Sequence, residues 1–329
     1  MLWKDDVLTL SILDYDRATE DFLRVARNTP GIIGVWQNGS ISAPGISDLD
    51  FLLVVSEGVK VSWKRMRENL SPEASRILIH SPIAITESLL PWLGYVNDMR
   101  GYHRLDGPAV SFAEPENKAL INLLVSTRLT MAKLMGLART AFLGRSGVRS
   151  FLCRVHGIRH NFTLMERRVP PMLEEAAELR KSWLSLGQEK YQRLDNLLAR
   201  AQDACVEFLR GLTIPWPLES GPDEFIAENW RFYGGNDCRE KNGMFSWLPR
   251  KARLGEVAYY STWFELGITP GLSGLLAGTL APTETTVGRK DWEKYLEVLA
   301  LSEKVRDRLP EFSPAAPLLS LQGWRSWVP

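Results

Sequence analysis

The chain has 329 residues, 45% hydrophobic and 24% charged, which is typical of a globular protein with length for about two domains. Its 40 basic and 39 acidic residues give a formal net charge of +1, which argues against a protein that coats nucleic acid through bulk charge. The three cysteines form no Cys-x-x-Cys pair, so neither a disulfide framework nor a structural zinc site is indicated. We expect a cytoplasmic protein with no membrane partner, because we find neither a signal-peptide pattern nor an apolar run that could cross a bilayer.

Helical and strand-like patterns alternate in the first 115 residues. The predicted elements, in chain order, are an amphipathic helix over 16–28, strands over 31–38 and 49–55, a helix over 62–70 and a third apolar strand over 75–85. The mixture predicts an α+β fold, with a small mixed sheet and flanking helices.

After residue 115 the pattern becomes helical. Leu120, Leu124, Met131 and Met135 recur on one helical face, and further helices are predicted over 146–166, 173–211 and 286–309. Between 213 and 285 the many Pro, Gly and Trp residues predict short helices joined by turns. We therefore predict two domains, an α+β domain over 1–115 and an all-helical domain over 116–329.

Two aspartates open the second predicted strand, in the stretch GSISAPGISDLDFLLVV that starts at Gly39. Asp48 and Asp50 are one residue apart, so in a strand their side chains point to the same face with Cα atoms about 7 Å apart. Two like charges so placed repel each other and lose hydration, which indicates a cation between them. The alternative is a turn at Ser47 and Asp48, with Asp50 facing solvent.

The order of elements around this pair resembles that of the polymerase beta-type nucleotidyltransferase superfamily, which includes poly(A) polymerases, CCA-adding enzymes and antibiotic nucleotidyltransferases. The family motif is a Gly-Ser turn after one strand, matched by Gly39 and Ser40, and an Asp-x-Asp on the next, matched by Asp48 and Asp50. The resemblance covers about a third of the chain. It implies that the two aspartates are catalytic metal ligands and that Gly39, Ser40 and Ser47 bind the triphosphate.

The chemistry of nucleotidyl transfer explains these residue types. A nucleoside triphosphate carries about three to four negative charges, and Mg²⁺ prefers hard oxygen ligands, so two carboxylates on one face suit one or two Mg²⁺ ions. Glycine lets the backbone approach the phosphates, and the N–H groups of a tight turn bind them. The resemblance implies an enzyme that moves a nucleoside monophosphate from a triphosphate such as ATP to an acceptor and releases pyrophosphate. The acceptor is open: a small molecule, an RNA or a protein.

Many members of the superfamily carry a third carboxylate on a later strand. The third predicted strand offers His80 and no acid. Glu87 and Asp106 are the nearest acids, and we favour Asp106, which lies beside a short predicted strand, as the third catalytic carboxylate. The alternative for Asp106 is a turn residue in Leu-Asp-Gly-Pro. Without a third carboxylate, the competing interpretation is a catalytically silent nucleotidyltransferase fold that serves as a binding or regulatory module.

A basic region follows, with nine basic residues and one acid between 128 and 168. In a helix over 146–166, Arg149, His156 and His160 lie on one face, so we predict that Arg149 contacts the triphosphate. The alternative is a solvated helix surface. Arg154 and His160, separated by five residues, resemble the catalytic spacing of HEPN-type ribonucleases, although Val155 replaces the usual polar residue there. His156 and His160 also have the spacing of two metal ligands on a helix.

Tryptophan is abundant, and eight of the twelve lie from Trp183 onward. Aromatic side chains stack on bases and sugars, but they also fill hydrophobic cores. Core packing is the preferred interpretation for most of them. The cluster NWRFYGG, residues 229–235, is the candidate for an aromatic rim beside a nucleotide cleft.

Overall fold

The computed structural model describes residues 1–210, 214–217, 280–283 and 289–316. The short helices predicted between 213 and 285 lie outside the described residues, except where two short strands occur. The aromatic cluster over 229–235 also lies outside them.

A five-stranded mixed sheet organises the described part of the chain. Its strands are β2 (Ile32–Asn38), β3 (Asp50–Val55), β4 (Ile83–Thr86), β5 (Tyr102–Asp106) and β9 (Ser313–Pro314), in the spatial order β5-β2-β3-β4-β9. Strand β2 is antiparallel to β3 and to β5, whereas β4 is parallel to β3 and to β9. Two smaller pairs join β1 (Leu2–Lys4) with β6 (Arg145–Gly147) and β7 (Ile214–Pro217) with β8 (Leu280–Thr283).

Helices flank this sheet. They are α1 (Ile12–Arg27), α2 (Trp63–Glu68), α3 (Pro72–Ile77), α4 (Lys118–Leu143), α5 (Val148–Leu164), α6 (Pro171–Ser182), α7 (Glu189–Arg210) and α8 (Arg289–Arg308), with 3₁₀ turns at Leu90–Tyr95 and Trp183–Ser185. The prediction of an α+β fold with a small mixed sheet and flanking helices is confirmed. No helix among the described residues is both long enough and apolar enough to span a membrane.

Helix α1 begins and packs as its sequence indicates. The Asp14 carboxylate accepts a hydrogen bond from the N–H of Ser11, which closes the first turn. On the buried face, the ring of Phe22 stacks on that of Phe51 in β3 with centroids 4.0 Å apart. This contact holds α1 against β3, the strand that begins at Asp50.

The prediction of one strand over 75–85 is wrong. Helix α3 occupies the start of this stretch, and β4 begins only at Ile83. The Ser71 hydroxyl accepts a hydrogen bond from the N–H of Ala74, and Pro72 stands in the first turn. Both are helix-start signals. Since both elements bury apolar residues, Ala74 and Ile77 in α3 and Ala84 and Ile85 in β4, hydrophobicity alone did not separate helix from strand.

The helix predicted over 173–211 is two helices. Helix α6 ends at Ser182 and α7 begins at Glu189. The buried Trp183 between them donates its indole N–H to the Asp5 carboxylate at 3.2 Å. The Glu189 carboxylate accepts the N–H of Gly187, which satisfies a backbone donor just before α7.

Both ends of the described chain contact residues on the other side of the domain boundary predicted at residue 115. At the start, β1 pairs with β6, and Trp3 Nε1 donates to Asp195 Oδ1 at 2.8 Å. Towards the other end, β9 extends the sheet beside β4, and α8 packs against both strands. Segments far apart in the sequence therefore share one sheet and its surroundings.

Candidate metal centre

The aspartate pair and the Gly-Ser turn lie at the same end of the sheet. Asn38, the last residue of β2, pairs with Asp50, the first residue of β3. Gly39 and Ser40 follow directly, so the turn leaves the sheet beside Asp50. Gly39 has φ +79°, a left-handed conformation that favours glycine, and its N–H donates to the carbonyl of Gly101 at 3.0 Å.

His80 completes a cluster with the two aspartates. Because β4 runs parallel to β3 and Ile83 pairs with Leu52, the residues just before β4 lie beside those just before β3. His80 Nε2 is 2.6 Å from Asp48 Oδ2 and 3.9 Å from Asp50 Oδ1. One potential ligand atom from each of the three residues lies within 4.8 Å of the others, close enough to hold one metal ion.

The three side chains differ in exposure. That of Asp48 is 11% exposed, whereas those of Asp50 and His80 are 45% and 50% exposed. Asp50 and His80 therefore form the open side of the cluster, and Asp48 forms its base. A ligand would approach from the side of Asp50.

The protonation equilibria of the cluster reflect its crowding. Loss of hydration and then the charge of Asp48 raise the pKa of Asp50 to about 6. Burial favours a higher pKa for Asp48 too, but the contact with His80 and the imidazolium charge outweigh it and lower that pKa. Burial disfavours the charged form of His80, but both carboxylates outweigh it and raise the pKa of the imidazole. The cluster therefore stabilises positive charge.

Asp48 Oδ2 is a buried acceptor without a hydrogen-bond donor of acceptable geometry. His80 Nε2 is close enough for an ion pair, but the contact lacks hydrogen-bond geometry. A buried carboxylate oxygen left in this state is costly unless a cation or a donor satisfies it. This oxygen is therefore suited to bind a metal ion.

Arg149 holds the loop before β3 instead of standing open to a phosphate. Its buried guanidinium donates at 2.9–3.4 Å to four backbone carbonyls, those of Ile46, Ser47, Arg76 and Ile77. These bonds join the loop to the end of α3. Arg149 therefore fixes, through the backbone, the two segments that carry the clustered side chains.

Ser47 belongs to the same internal network. Its buried hydroxyl oxygen accepts hydrogen bonds from the N–H of Ala43 and from Arg180 Nη2, both at 3.1 Å. The Tyr15 hydroxyl donates to the Ser47 carbonyl at 2.6 Å and accepts the N–H of Gly45 at 3.0 Å. The Ser47 side chain thus positions the loop, whereas Ser40 in the turn is exposed.

Helices α4 and α5 pack together at two glycines, and each glycine leaves room for a basic side chain of the other helix. A Cβ added at Gly157 in α5 would lie 2.5 Å from Lys133 Nζ, and one added at Gly136 in α4 would lie 2.7 Å from Arg154 Nε. Each helix therefore lays a long basic side chain over a glycine of the other. Arg154 also donates to the Gly136 carbonyl at 3.1 Å.

Lys133 and Arg154 act electrostatically on the cluster of Asp48, Asp50 and His80. Burial, and then the charge of Arg154, lower the pKa of Lys133, while the negative charge of Asp50 opposes them. The charge of Arg154 in turn acts on His80. The helices after residue 116 thus bring positive charge to the open side of the cluster.

The structure does not bring the predicted third carboxylate to the cluster. Asp106 pairs with Val35, three residues along β2 from Asn38, and its carboxylate accepts from Arg27 Nε at 2.6 Å. Glu87 follows β4 at the end of the sheet opposite Asp50, where its N–H donates to the Val55 carbonyl. Neither carboxylate joins the cluster.

The residues of the ribonuclease hypothesis lie on α5. Arg154 donates to Thr140 Oγ1 at 3.1 Å as well as to the α4 backbone. His160 is exposed, and its ring meets that of His156 edge-on with centroids 5.8 Å apart. Burial, and then the charge of Arg180, lower the pKa of His156 to about 3.

Sequence reasoning named His80 without assigning it to the site, and it did not single out Lys133. His80 lies just before β4, but the sequence predicted a strand over 75–85 that contains it, and nothing in the sequence indicated that this strand would pair in parallel with β3. Lys133 was one basic residue among nine, and its position depends on how α4 crosses α5.

Comparison of the chain with protein-family models, with curated proteins and with solved structures found no match.

Proposed function

We propose that this protein is a nucleotidyltransferase that depends on a divalent cation and moves a nucleoside monophosphate from a triphosphate to an acceptor, with release of pyrophosphate. The observation that carries this proposal is the meeting of Asp48, Asp50 and His80 beside the Gly39–Ser40 turn. We assign a nucleotidyltransferase fold to the sheet and its flanking helices. The helical part after residue 116 forms the opposite side of the nucleotide site in this proposal.

The residues present fit a divalent cation. Asp48 supplies a buried oxygen that has no satisfactory donor, and Asp50 supplies an accessible one. Carboxylate oxygens suit Mg²⁺, which retains several water ligands and binds through one or two carboxylates and substrate phosphates. A bound divalent cation would neutralise charge on the phosphate oxygens as they develop negative charge.

The phosphates have donors on two sides. Ser40 offers a backbone N–H group and a hydroxyl at the end of β2, whereas the N–H of Gly39 is bound to Gly101. No neighbouring atom lies within 4 Å of the position a Cβ would take at Gly39. This open space allows the close approach of a phosphate to the backbone. Lys133 supplies a positive charge from α4, within electrostatic range of Asp50. The triphosphate would lie between these elements.

The reaction is an in-line displacement. An oxygen of the acceptor forms a bond to the α-phosphorus while the bond to the pyrophosphate oxygen breaks, and the acceptor proton leaves to water. Asp48 and Asp50 would hold the cation that binds the triphosphate, and the Gly-Ser turn holds the leaving phosphates. Lys133 stabilises the charge that collects on pyrophosphate. Catalysis of this kind depends on positioning and charge stabilisation.

A catalytically silent binding module is the second candidate. Among the described residues, the cluster contains two carboxylates and one imidazole, and Asp106 pairs with Arg27 elsewhere. Nucleotide binding would then persist without transfer. The two candidates differ only in whether an acceptor becomes labelled.

Labelling in cell extract separates the two. Extract is incubated with each of the four labelled triphosphates and the wild-type protein, Asp50→Ala or Asp106→Asn, and products are identified by mass spectrometry. The proposal expects a labelled acceptor with wild type and Asp106→Asn but not with Asp50→Ala. Equal labelling by wild type and Asp50→Ala would contradict the mechanism. Tight triphosphate binding without labelling would establish the silent module.

A further inference from the structure

We propose that His80 is the third ligand of the metal centre, and that the centre selects a first-row transition cation such as Mn²⁺ over Mg²⁺. This inference rests on the proposed function for the role of the site, and it identifies the class of cation that the site takes.

The positions of the three ligand atoms suit a shared cation. In an octahedral site with metal–ligand bonds of about 2.1 Å, adjacent ligand atoms are about 3 Å apart. His80 Nε2 lies 2.6 Å from Asp48 Oδ2 and 3.9 Å from Asp50 Oδ1, one distance on each side of this value. The ligand atoms of Asp48 and Asp50 also lie within 4.8 Å of each other, so side-chain shifts of about 1 Å would place the three atoms around one ion.

A simple ion pair does not account for the cluster as well. An imidazolium paired with Asp48 would satisfy that carboxylate, yet Asp48 Oδ2 remains without a donor of acceptable geometry. It would also leave Asp50 close to a second carboxylate with its nearest cationic nitrogen 3.9 Å away. A cation held by all three residues would satisfy the buried oxygen and remove the repulsion between the carboxylates.

The donor set determines the metal preference. Mg²⁺ favours oxygen ligands and retains its water, whereas imidazole nitrogen suits first-row transition ions. Two carboxylates and one imidazole therefore form a mixed site, in which nitrogen ligation favours Mn²⁺ over Mg²⁺. A site of three carboxylates would show a weaker preference, because carboxylates suit both ions.

Electron paramagnetic resonance with Mn²⁺ tests the ligation directly on the full chain. Titration of Mn²⁺ reports binding as loss of the free-ion signal, and competition with Mg²⁺ reports relative affinity. Electron spin echo envelope modulation detects a directly bonded ¹⁴N. We expect ¹⁴N modulation from one imidazole and a Kd for Mn²⁺ at least about 10-fold below that for Mg²⁺. Mn²⁺ bound at this site without ¹⁴N modulation would overturn the proposal.

Three variants assign the nitrogen. His80→Ala should abolish the modulation and weaken Mn²⁺ binding by about 10-fold or more, with a smaller change for Mg²⁺. His80→Asp supplies a third carboxylate and should bring the two affinities within a few fold. His103→Ala removes an exposed histidine of β5 and should change neither the ¹⁴N modulation nor the affinity for either ion. An unchanged Mn²⁺ affinity and modulation in folded His80→Ala, or in His80→Asp if the alanine variant does not fold, would refute the assignment.

Failure of this inference is separable from failure of the proposed function. Binding of a fluorescent triphosphate analogue is measured with Mg²⁺ and with Mn²⁺ on the wild type and His80→Asp. Equal nucleotide binding with both ions and both proteins refutes the metal preference and leaves the proposed function standing. Nitrogen-ligated Mn²⁺ with no nucleotide binding supports the metal centre and contradicts the proposed function.

Discussion

Lys133 Nζ lies directly over Gly157, at a distance of 2.5 Å from the position that an added Cβ would occupy. Gly157→Ala should therefore displace the end of the lysine side chain while the helices stay packed, because that end is flexible. Alanine also favours a helix by about 1 kcal/mol over glycine, so we expect little loss of stability.

If Lys133 binds the triphosphate, Gly157→Ala should weaken nucleotide binding in the same direction as Lys133→Ala. Isothermal titration and thermal unfolding measure the two effects. Gly94→Ala is the matched control, since a Cβ there has only ordinary contacts, the nearest at 3.7 Å. Normal nucleotide affinity in both Gly157→Ala and Lys133→Ala would remove Lys133 from the site.

Asp50→Ala should reduce transfer without lowering the stability of the protein. Removal of this carboxylate relieves its repulsion with Asp48, so the free energy of unfolding should stay the same or rise. Transfer should fall by at least about 10²-fold, a typical loss when one charge-stabilising group is removed. Asp106→Asn breaks the ion pair with Arg27 on another part of the sheet and should leave transfer unchanged. If Asp106→Asn instead abolishes transfer while nucleotide binding persists, Asp106 is the third catalytic carboxylate after all.

Gly39→Val should block phosphate binding at the turn. Gly39 has φ +79°, and Gly58 has φ +74° in the loop after β3; no atom lies within 4 Å of a Cβ at either position. Valine therefore introduces similar backbone strain at both, so Gly58→Val is the matched control for stability. Only Gly39→Val should lose nucleotide affinity in a binding titration.

Ser40→Ala should weaken nucleotide binding by about 1–2 kcal/mol, through one lost hydrogen bond to a charged group. Equilibrium titration of the triphosphate measures this change. Unchanged affinity in both Gly39→Val and Ser40→Ala would show that the phosphates bind elsewhere.

Arg149→Met should destabilise the protein. The Ser47 carbonyl keeps the Tyr15 hydroxyl as a donor. Each buried carbonyl left without a donor costs about 1–3 kcal/mol, so loss of the four bonds should lower the free energy of unfolding by about 3 kcal/mol or more. Urea unfolding measures this, with Arg168→Ala, at an exposed arginine, as control. A variant that keeps full stability but loses nucleotide affinity would restore Arg149 to the phosphate site that the sequence predicted.

His156 should make stability depend on pH. Its pKa is about 3 in the folded protein, whereas an unfolded histidine titrates near about 6.5. Between these values the unfolded state binds more protons, so this contribution is fully present above pH 6.5 and is lost as the pH falls below it, by at most about 1.4 kcal/mol per pH unit.

Urea unfolding at pH 7.5 and pH 5 measures this dependence. In His156→Leu the loss between the two pH values should be smaller than in the wild type. His103→Ala, at an exposed position, should keep the wild-type loss. The same loss in His156→Leu and wild type would show that another group causes the pH dependence.

The sequence by itself determined the elements that local chemistry specifies. Apolar runs and amphipathic spacing predicted α1, β2, β3, α4, α5 and α8 near their observed positions, because burial of one face imposes the helical or strand period. The spacing of Asp48 and Asp50 predicted two carboxylates at one strand end, and both join the observed cluster. These features depend on residues near each other in the chain.

Tertiary structure alone decided which distant residues meet. The pairing of β4 with β3 brings His80 to Asp48, and the crossing of α4 over α5 lays Lys133 on Gly157. The register of β5 on β2 instead directs Asp106 to Arg27. No local pattern encodes these contacts, because strand order and helix crossing follow from the packing of the whole core. For that reason the sequence favoured Asp106 as the residue beside the two aspartates, whereas the structure places His80 beside them.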